Sequence, residues 1–168
     1  IQESDLLSNK WDNHPALYLW RDRAGRAMGL MGRTINGQEP KYLYSKGMAK
    51  SQTLPGLINA RGAEELLIVE TPLGAAWLNS QSFSWPVVAL GGSSLSKSQI
   101  EAMSQGGVKR IILALDMDQG GQKATARTIE LLRSAGLERV LVASWSGERA
   151  PDDLAIAQGL EALETAVS

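Results

Sequence analysis

Four acidic residues of the chain stand at the end of a run of apolar residues or at the start of a helical pattern. They are Glu70, Asp116, Asp118 and Asp152. Carboxylates that converge repel one another, and a hard divalent cation such as Mg²⁺ or Mn²⁺ neutralises them because it prefers oxygen ligands. Such an ion bridges to phosphate oxygens and stabilises displacement at phosphorus. If these carboxylates meet, they predict phosphoryl or nucleotidyl transfer.

Each acidic residue taken alone has a plainer interpretation. Acidic residues after strands are often ordinary loop residues, and Asp152 is placed to be only the N-cap of the helix that follows. Asp116 and Asp118 are two residues apart, so in a continuing strand both side chains point to the same side and can face one ion. The arrival of three acidic segments at one edge of one sheet favours the metal site over the plainer interpretation.

The composition narrows the possible chemistry. The chain has 168 residues, no Cys and a single His, His14. This excludes a disulfide scaffold, a Cys-ligated zinc site and thiol catalysis, and it disfavours a Ser-His-Asp triad. With 17 basic and 18 acidic residues the net charge is -1, so bulk charge does not indicate a nucleic-acid partner, although a local basic patch is compatible with one. An enzyme of this composition must rely on carboxylates, lysines, hydroxyls or a bound metal.

No stretch of the sequence approaches the roughly 20 apolar residues that a membrane helix needs, and no signal segment opens the chain. We therefore expect a cytoplasmic protein with no membrane partner. The chain begins with Ile1, from which we expect it to be part of a longer protein.

The acidic residues are carried by a regular alternation of segments that begins at Ala63. Short continuous apolar runs, typical of strands buried on both faces, occur at 66–69, 86–90, 110–115 and 140–143. Segments with a helical spacing of apolar residues lie at 74–80, 96–105, 122–134 and 152–167. This alternation predicts an α/β fold with a four-stranded parallel sheet, helices on both faces, and ligands at the carboxyl ends of the strands.

The first sixty residues have a different pattern. Strand-like segments, of which the first two flank a polar tip, lie at 18–20, 27–34 and 41–44. They predict a hairpin followed by a third strand, in a small antiparallel α+β lobe. The predicted division is an amino-terminal lobe at 1–62 and an α/β domain at 63–168.

The order of the acidic motifs resembles that of the Toprim domain, which bacterial primases, type IA and type II topoisomerases and some nucleases share. Glu70 stands where the family has a glutamate after its first strand, and Asp116-Met117-Asp118 stands in place of the Asp-x-Asp after its third. The segment 116–124 is similar to the primase Asp-Gly-Asp-x-Ala-Gly-x-x-Ala, and 151–154 resembles its Asp-Pro-Asp-x-Leu. Residues 89–95 occupy the place of its Leu-Gly-Thr loop.

The amino-terminal segment resembles that of the bacterial, DnaG-type primases, and other Toprim proteins lack it. Residues 21–33 are similar to the primase Arg-Asp-x-x-Gly-Arg…Gly-Gly-Arg stretch, and 40–45 to its Pro-Lys-Tyr-Leu-Asn-Ser signature. Lys50 also falls in register. The resemblance covers nearly everything from Ala16 onward, and its specificity comes from the ordered set of motifs.

This resemblance implies a DNA primase catalytic core that makes RNA primers on single-stranded DNA from nucleoside triphosphates, with Mg²⁺ or Mn²⁺. It implies catalytic roles for Glu70, Asp116 and Asp118, and metal ligation by these three residues and Asp152. The basic residues that it implies in binding nucleic acid or nucleotide are Arg21, Arg33, Lys41 and Lys50. A replicative helicase is the further partner expected, through regions outside this chain.

The sequence departs from the family pattern at three positions. Thr71 and Gly74 stand where the family has Gly and Asp after the glutamate, and Ala150 replaces the first Asp of Asp-Pro-Asp. These departures favour an alternative, a nucleic-acid-binding Toprim module with weak or lost catalysis. Another Toprim phosphoryl-transfer enzyme, such as a nuclease, is a further alternative.

Two other interpretations rest on single features. A phosphatase of the haloacid-dehalogenase type would use Asp116 as nucleophile, but that family usually carries Asp-x-Asp on the first strand of its sheet. The segment Gly91–Ser94 could cradle a phosphate before a helix capped by Ser96, although such a segment is more often an ordinary turn. Trp20 and Trp145 could stack on bases, but burial is the commoner role of Trp, and His14 is expected to be a loop residue.

Overall fold

The computed structural model describes residues 9–168, which form two β-sheets and five α-helices. The strands are β1 (Ala16–Arg21), β2 (Ala27–Arg33), β3 (Tyr42–Tyr44), β4 (Glu65–Val69), β5 (Val87–Ala89), β6 (Arg110–Leu113) and β7 (Arg139–Val142). The helices are α1 (Pro72–Ser80), α2 (Lys97–Gln105), α3 (Gln119–Ser134), α4 (Pro151–Gln158) and α5 (Leu160–Val167). The first eight residues of the predicted lobe lie outside the described residues.

The small sheet is antiparallel, with the order β1-β2-β3. The predicted hairpin is confirmed, and Trp20 on β1 is fully buried opposite Gly29 of β2. Gly32 on β2 has no room for a side chain, because a Cβ there would lie 2.7 Å from the Trp11 ring and 2.9 Å from His14. His14 lies in a loop as predicted, but it is buried, and its Nε2 is 2.6 Å from the carbonyl oxygen of Pro40.

The large sheet is parallel, with the order β5-β4-β6-β7, and helices cover both faces. Alternate residues of β4 enter two separate apolar cores, Leu66 and Ile68 on one face and Leu67 and Val69 on the other. Helices α2 and α3 pack on the first face, and α1, α4 and α5 pack on the second. A strand that is buried on both sides must be apolar at every position, which explains the continuous runs in the sequence.

The chain reverses its winding direction at the centre of this sheet. From β4 it passes through α1 on one face to β5, and then through α2 on the other face to β6, on the far side of β4. The loops that leave β4 and β6 therefore diverge and open a crevice at the carboxyl ends of these two strands. In open α/β sheets such a switch point is where ligands bind.

Three predicted details differ from the structure. Strand β7 is the edge of the sheet, so it is not buried on both faces; Leu141 and Val142 are 42% and 50% exposed. The predicted helix at 152–167 is two helices, because Gly159 has a φ of 92° and interrupts it. Helix α3 begins at Gln119 instead of 122, since Asp118 caps it.

The amino-terminal segment also contributes to the core of the parallel sheet. Leu54, Leu57 and Ala60, which lie between the two sheets in sequence, are buried with the α2 and α3 face. The two parts of the chain thus share a core, and the division at 62/63 stays a prediction. Within residues 9–168, no helix has both the length and the apolar character to cross a bilayer.

Candidate active site

Glu70 directly follows β4 and lies at the crevice. Its carboxylate is half-buried, and its Oε2 atom is buried with no hydrogen-bond partner among the described residues. Burial raises the pKa of Glu70 above its ordinary value, and the negative charges of Asp116 and Asp118 raise it further. A carboxylate in this setting holds a proton more readily than a free glutamate and gains from any cation placed beside it.

Asp116 follows β6, the neighbouring strand, and is only 2% exposed. Its Oδ2 accepts a hydrogen bond from Nε of Arg149 at 3.1 Å and lies 2.9 Å from Nη2 of the same guanidinium, as an ion pair. Gly121, in the first turn of α3, packs directly on the Asp116 backbone, where a Cβ would overlap the carbonyl oxygen. This close approach gives a physical reason for glycine at the sixth position of the segment 116–124.

Asp118 does not continue the strand, so the condition under which Asp116 and Asp118 would share a strand face is not met. The ladder of β6 ends at Leu113, and Asp118 is the N-cap of α3, whose Oδ1 accepts from the backbone N–H of Gly121 at 2.8 Å. Its other oxygen, Oδ2, lies 3.6 Å from Nε of Arg149. The two aspartates are therefore joined by a shared guanidinium.

Asp152 lies in the first turn of α4, and the N-cap position belongs to Ala150, so the cap interpretation of Asp152 is wrong. Burial raises the pKa of Asp152, and the negative charges of Asp153 and Asp116 add to this, whereas the positive charge of Arg33 lowers it. Asp152 thus lies within electrostatic reach of Asp116 across the crevice.

Two of the departures from the family pattern have local structural roles. Thr71 is the N-cap of α1, and its Oγ1 accepts from the backbone N–H of Gly74 at 3.1 Å. A Cβ on Gly74 would lie 3.1 Å from both Cγ and Oδ1 of Asp152. Glycine at this position therefore leaves room for the Asp152 carboxylate.

The small sheet presents basic and aromatic side chains to the acidic residues. Arg33 and Lys41 line a cavity of about 440 Å³ together with Leu73 from the first turn of α1. Burial raises the pKa of the Tyr42 hydroxyl, and the charges of Asp152 and Glu70 raise it further, while Arg33 acts in the opposite direction. The Tyr42 hydroxyl is buried without a hydrogen-bond partner in residues 9–168. Sequence reasoning treated Tyr42 as part of a motif and missed it as a site residue.

The other two predicted basic residues lie elsewhere on the lobe. Lys50 places its Nζ 3.9 Å from the centre of the Tyr44 ring. Arg21 donates from Nη1 to the carbonyl oxygen of Gly25, at 2.8 Å within its own hairpin. Neither forms a hydrogen bond or ion pair with the acidic residues in the part of the chain that the structure describes.

Arg149 is the second site residue that sequence reasoning missed. Its carbonyl oxygen accepts from the backbone N–H of Met117 at 2.7 Å, which joins its loop to the segment between the two aspartates. The indole of Trp145 donates to the carbonyl oxygen of Glu148 at 2.9 Å and shapes the same loop, so Trp145 has a structural role here. The sequence offered one signal for its role, which is the position of a basic residue directly before the Ala150-Pro151-Asp152 motif.

The donor set suits a hard divalent cation in its chemistry. All four carboxylates are oxygen ligands, two of them have raised pKa values, and Oε2 of Glu70 has no partner. As the side chains stand, however, no three acidic or histidine side chains of residues 9–168 converge closely enough to hold a metal. Arg149 lies among them instead, so a cation would have to replace its guanidinium.

Comparison with known proteins gives concordant matches. A family model described as Toprim-like matches residues 73–155. The DNA primase of Deinococcus radiodurans is 32% identical over 132 residues, which are 74% of this chain and 22% of that protein. The chain therefore spans about a fifth of the length of this curated relative.

Solved structures show the same likeness. The Aquifex aeolicus primase, comprising zinc-binding and RNA polymerase domains, matches with a TM-score of 0.79 and 29% identity, over 90% of this chain and 39% of that one. The DnaG primase catalytic domain bound to ssDNA matches with a TM-score of 0.75 and 26% identity, over 89% of this chain and 49% of that one. The predicted Toprim-like sheet, preceded by an antiparallel lobe, is confirmed.

Proposed function

Because this chain carries a Toprim domain of the bacterial DNA primase type, we propose that it forms the catalytic core of a DNA primase. The reaction joins ribonucleoside triphosphates into an RNA primer on a single-stranded DNA template. The observation that carries the proposal is the meeting of the acidic crevice with the basic face of the small sheet. Arg33 and Tyr42 lie within electrostatic reach of Asp152, so a polyanion and its cation can be held between the two.

In this proposal Glu70, Asp116 and Asp118 are the catalytic carboxylates. With Asp152 they would hold Mg²⁺ or Mn²⁺, which neutralises charge on the phosphate that is attacked. Glu70 serves as the general base or acts through the metal, and its raised pKa makes it a stronger base than a free glutamate. Asp118 has a fixed orientation, because one of its oxygens is engaged at the start of α3.

The basic side chains hold phosphates in this proposal. Arg33 and Lys41 line the cavity beside the acidic crevice, so they bind the phosphates nearest to the reacting atoms. Lys50 and Arg21, which lie elsewhere on the lobe, contact the template further away in this proposal. We propose single-stranded DNA and nucleoside triphosphates as partners, a helicase reached through other parts of the protein, and the cytoplasm as its location.

A primer-synthesis assay tests this proposal directly. The wild-type protein is compared with Glu70→Gln and Asp116→Asn on a single-stranded template, with Mg²⁺ or Mn²⁺. The matched control is Glu64→Gln, since Glu64 is exposed beside the opposite end of β4, where it pairs with Lys109 at 2.5 Å. Primers from the wild type and the control, but not from the other two variants, support the proposal. If the wild type makes no more product than Glu70→Gln, the catalytic assignment fails.

A second candidate function is a nucleic-acid-binding module without efficient synthesis. The observation that favours it is Arg149, which pairs with two of the four carboxylates, next to a position where Ala150 supplies no carboxylate. This alternative predicts that single-stranded DNA binds with an affinity that Arg33→Gln weakens, while no primer forms with either metal.

A further inference from the structure

The loop that joins β2 to β3 forms one wall of the cavity of about 440 Å³ beside the acidic crevice. Every residue from 35 to 41 is exposed, so the loop has little packing of its own. Lys41, at its end, lines this cavity, and its side chain forms no ion pair with any of residues 9–168. An exposed loop of this kind keeps its position only if another part of the chain holds it.

His14, the single histidine of the chain, holds this loop from outside. Its Nε2 lies 2.6 Å from the carbonyl oxygen of Pro40, the residue before Lys41. Because a carbonyl oxygen only accepts, Nε2 must carry the hydrogen and donate it. The other hydrogen bonds of residues 35–40 stay within residues 34–41, so His14 supplies the one hydrogen bond that ties this loop to another part of residues 9–168.

The imidazole of His14 is itself fixed by burial. His14 is 4% exposed, and it packs against Gly32 of β2, where a Cβ would lie 2.9 Å from the His14 Cβ. Its Nδ1 is buried without a hydrogen-bond partner in the described residues. An apolar side chain would fill this space without leaving a buried nitrogen unpaired, so the need to fill space does not explain a histidine here. The hydrogen bond to Pro40 does explain it.

This hydrogen bond bears on the position of the cations at the cavity. Cζ of Arg33 and Nζ of Lys41 lie 5.7 Å and 5.8 Å from the centre of the Tyr42 ring. Arg33 is held on β2 by pairing with both neighbouring strands. Lys41 lies before β3; its carbonyl oxygen accepts from the backbone N–H of Thr34 at 3.2 Å, and the chain on its amino-terminal side depends on His14. Loss of the His14 contact should therefore displace Lys41 and leave Arg33 in place.

We propose that His14 is a positioning residue, which holds Pro40 so that the Lys41 ammonium stays at the cavity and binds a phosphate of the nucleic acid. This assignment rests on the proposed function, in which Lys41 binds phosphate. His14 contacts neither the nucleic acid nor the reacting atoms, and it acts through the backbone of Pro40. The single imidazole of the chain thus serves the geometry of binding and transfers no proton in the reaction.

The test measures binding of a short fluorescent oligo(dT) by anisotropy at several salt concentrations, without synthesis. His14→Met and His14→Gln are compared with the wild type, because both new side chains are unbranched and similar in size, and only glutamine keeps an N–H donor. The slope of the logarithm of affinity against the logarithm of salt concentration counts phosphate contacts, at about 0.7 per contact on a single strand. Lys41→Gln and the double variant of His14→Met with Lys41→Gln complete a double-mutant cycle.

The matched control is Asn79→Leu, which also removes a side-chain donor from a backbone carbonyl. Asn79 lies at the end of α1 away from the cavity, and its Nδ2 donates to the carbonyl oxygen of Val87 at 2.7 Å. This variant should lower the midpoint of thermal unfolding and leave the salt slope unchanged. A reduced slope in this control would show that lost stability alone weakens binding, and it would overturn the proposal.

We expect His14→Met to bind oligo(dT) about three- to tenfold more weakly, with a slope reduced by about 0.7, because one contact to phosphate is lost. His14→Gln should stay within about twofold of the wild type, since its amide can donate to Pro40. In the Lys41→Gln background, His14→Met should have no further effect. Unchanged binding by His14→Met, no effect of Lys41→Gln, or additive losses in the double variant each overturns the proposal. An equal loss in His14→Gln and His14→Met also overturns it, because packing would then be responsible.

A measurement on the wild type needs no variant to fold. The ¹⁵N NMR spectrum of the single imidazole should show hydrogen on Nε2 of His14, as the contact with Pro40 requires. Hydrogen on Nδ1 alone would remove the donor and refute the positioning role.

The outcome for the proposed function stays separate. A wild type that makes primers, with an oligo(dT) affinity that ignores His14→Met, refutes the positioning role alone. A wild type in which His14 acts through Lys41, but which makes no primers, refutes primer synthesis and leaves the positioning role standing.

Discussion

Replacement of Arg149 by glutamine removes a cation from the centre of the acidic crevice. Asp116, which is 2% exposed, would lose a charge-assisted hydrogen bond and its ion pair with the guanidinium, and Asp118 would lose an ion pair at 3.6 Å. An uncompensated buried charge can cost about 3–5 kcal/mol, but the Arg149 side chain is 64% exposed, so solvent screening reduces the expected cost to about 1–2 kcal/mol. For a domain of this size that lowers the midpoint of thermal unfolding by roughly 2–8 °C in the absence of divalent ions.

The free energy of the Arg149 contacts that the variant loses in stability should appear as a gain in its affinity for the metal. If a cation replaces the guanidinium, the wild type must break the Arg149 contacts before it binds the ion, and the variant need not. The variant should therefore bind Mn²⁺ about 5–30-fold more tightly, and Mn²⁺ should restore its unfolding midpoint to that of the wild type with the ion. Calorimetric titration of Mn²⁺ and thermal unfolding with and without the ion measure the two quantities independently.

The matched control is Arg110→Gln, because Arg110 pairs with Glu65 at 2.5 Å at the opposite end of the sheet. It should reduce stability without changing the affinity for Mn²⁺. The reasoning is refuted if Arg149→Gln binds Mn²⁺ no more tightly than the wild type. It is also refuted if the ion stabilises both proteins by the same amount.

Three further predictions concern the same crevice. Burial and the neighbouring carboxylates raise the pKa of Glu70 above its ordinary 4.5, so the folded state binds its proton more tightly than the unfolded chain. The contribution of Glu70 to the free energy of unfolding is therefore fully present below the ordinary pKa and is lost as the pH rises through the raised pKa. Glu70→Gln should raise the midpoint of thermal unfolding at pH 7, and this gain should vanish toward pH 4.5. A gain that does not depend on pH would contradict this. Gly74→Asp should destabilise the protein by about 1–3 kcal/mol, because its Cβ would lie 3.1 Å from the Asp152 carboxyl. Added Mn²⁺ should recover part of that loss in thermal unfolding, and full stability without the ion would show that α1 yields freely. Gly121→Ala should lower the urea midpoint by a similar free energy, since its Cβ would overlap the Asp116 carbonyl oxygen, whereas Gly107→Ala, at a site with no neighbour but a φ of 88°, measures backbone strain alone.

Strands that are buried on both faces, and helix caps that depend only on nearby residues, could be predicted from the sequence. The residues 66–69 of β4 and 111–113 of β6 are all apolar because helices cover both faces of these strands, and such a continuous run can be recognised in the sequence. The cap at Ser96, with the reciprocal hydrogen bond from its N–H to Gln99, depends on residues three apart. Strand β7 was predicted to be buried on both faces because its run of residues is apolar. It lies at the edge of the sheet, with no further strand beside it within residues 9–168, and the sequence pattern does not show this.

The candidate site also contains residues that could be placed from the sequence and residues that could not. Glu70 and Asp116 could be placed at one sheet edge, because parallel strands bring their carboxyl ends together. The orientation of Asp118 could not, since the choice between continuing a strand and capping a helix depends on where the ladder of β6 stops. Thr71 and Gly74 looked like losses in the sequence, and the structure shows a helix cap and the space for a carboxylate.

The sequence by itself determined which residue types are available for chemistry, the order in which strands deliver them, and the edge at which they arrive. These follow from composition and periodicity, which are properties of neighbouring residues. Only the tertiary structure decided that Arg149 pairs with Asp116, 33 positions away in sequence, and that the hydroxyl of Tyr42 is buried within electrostatic reach of Asp152. Such contacts join segments with no shared periodicity, and their strength depends on distance and burial, which exist only after the chain has folded.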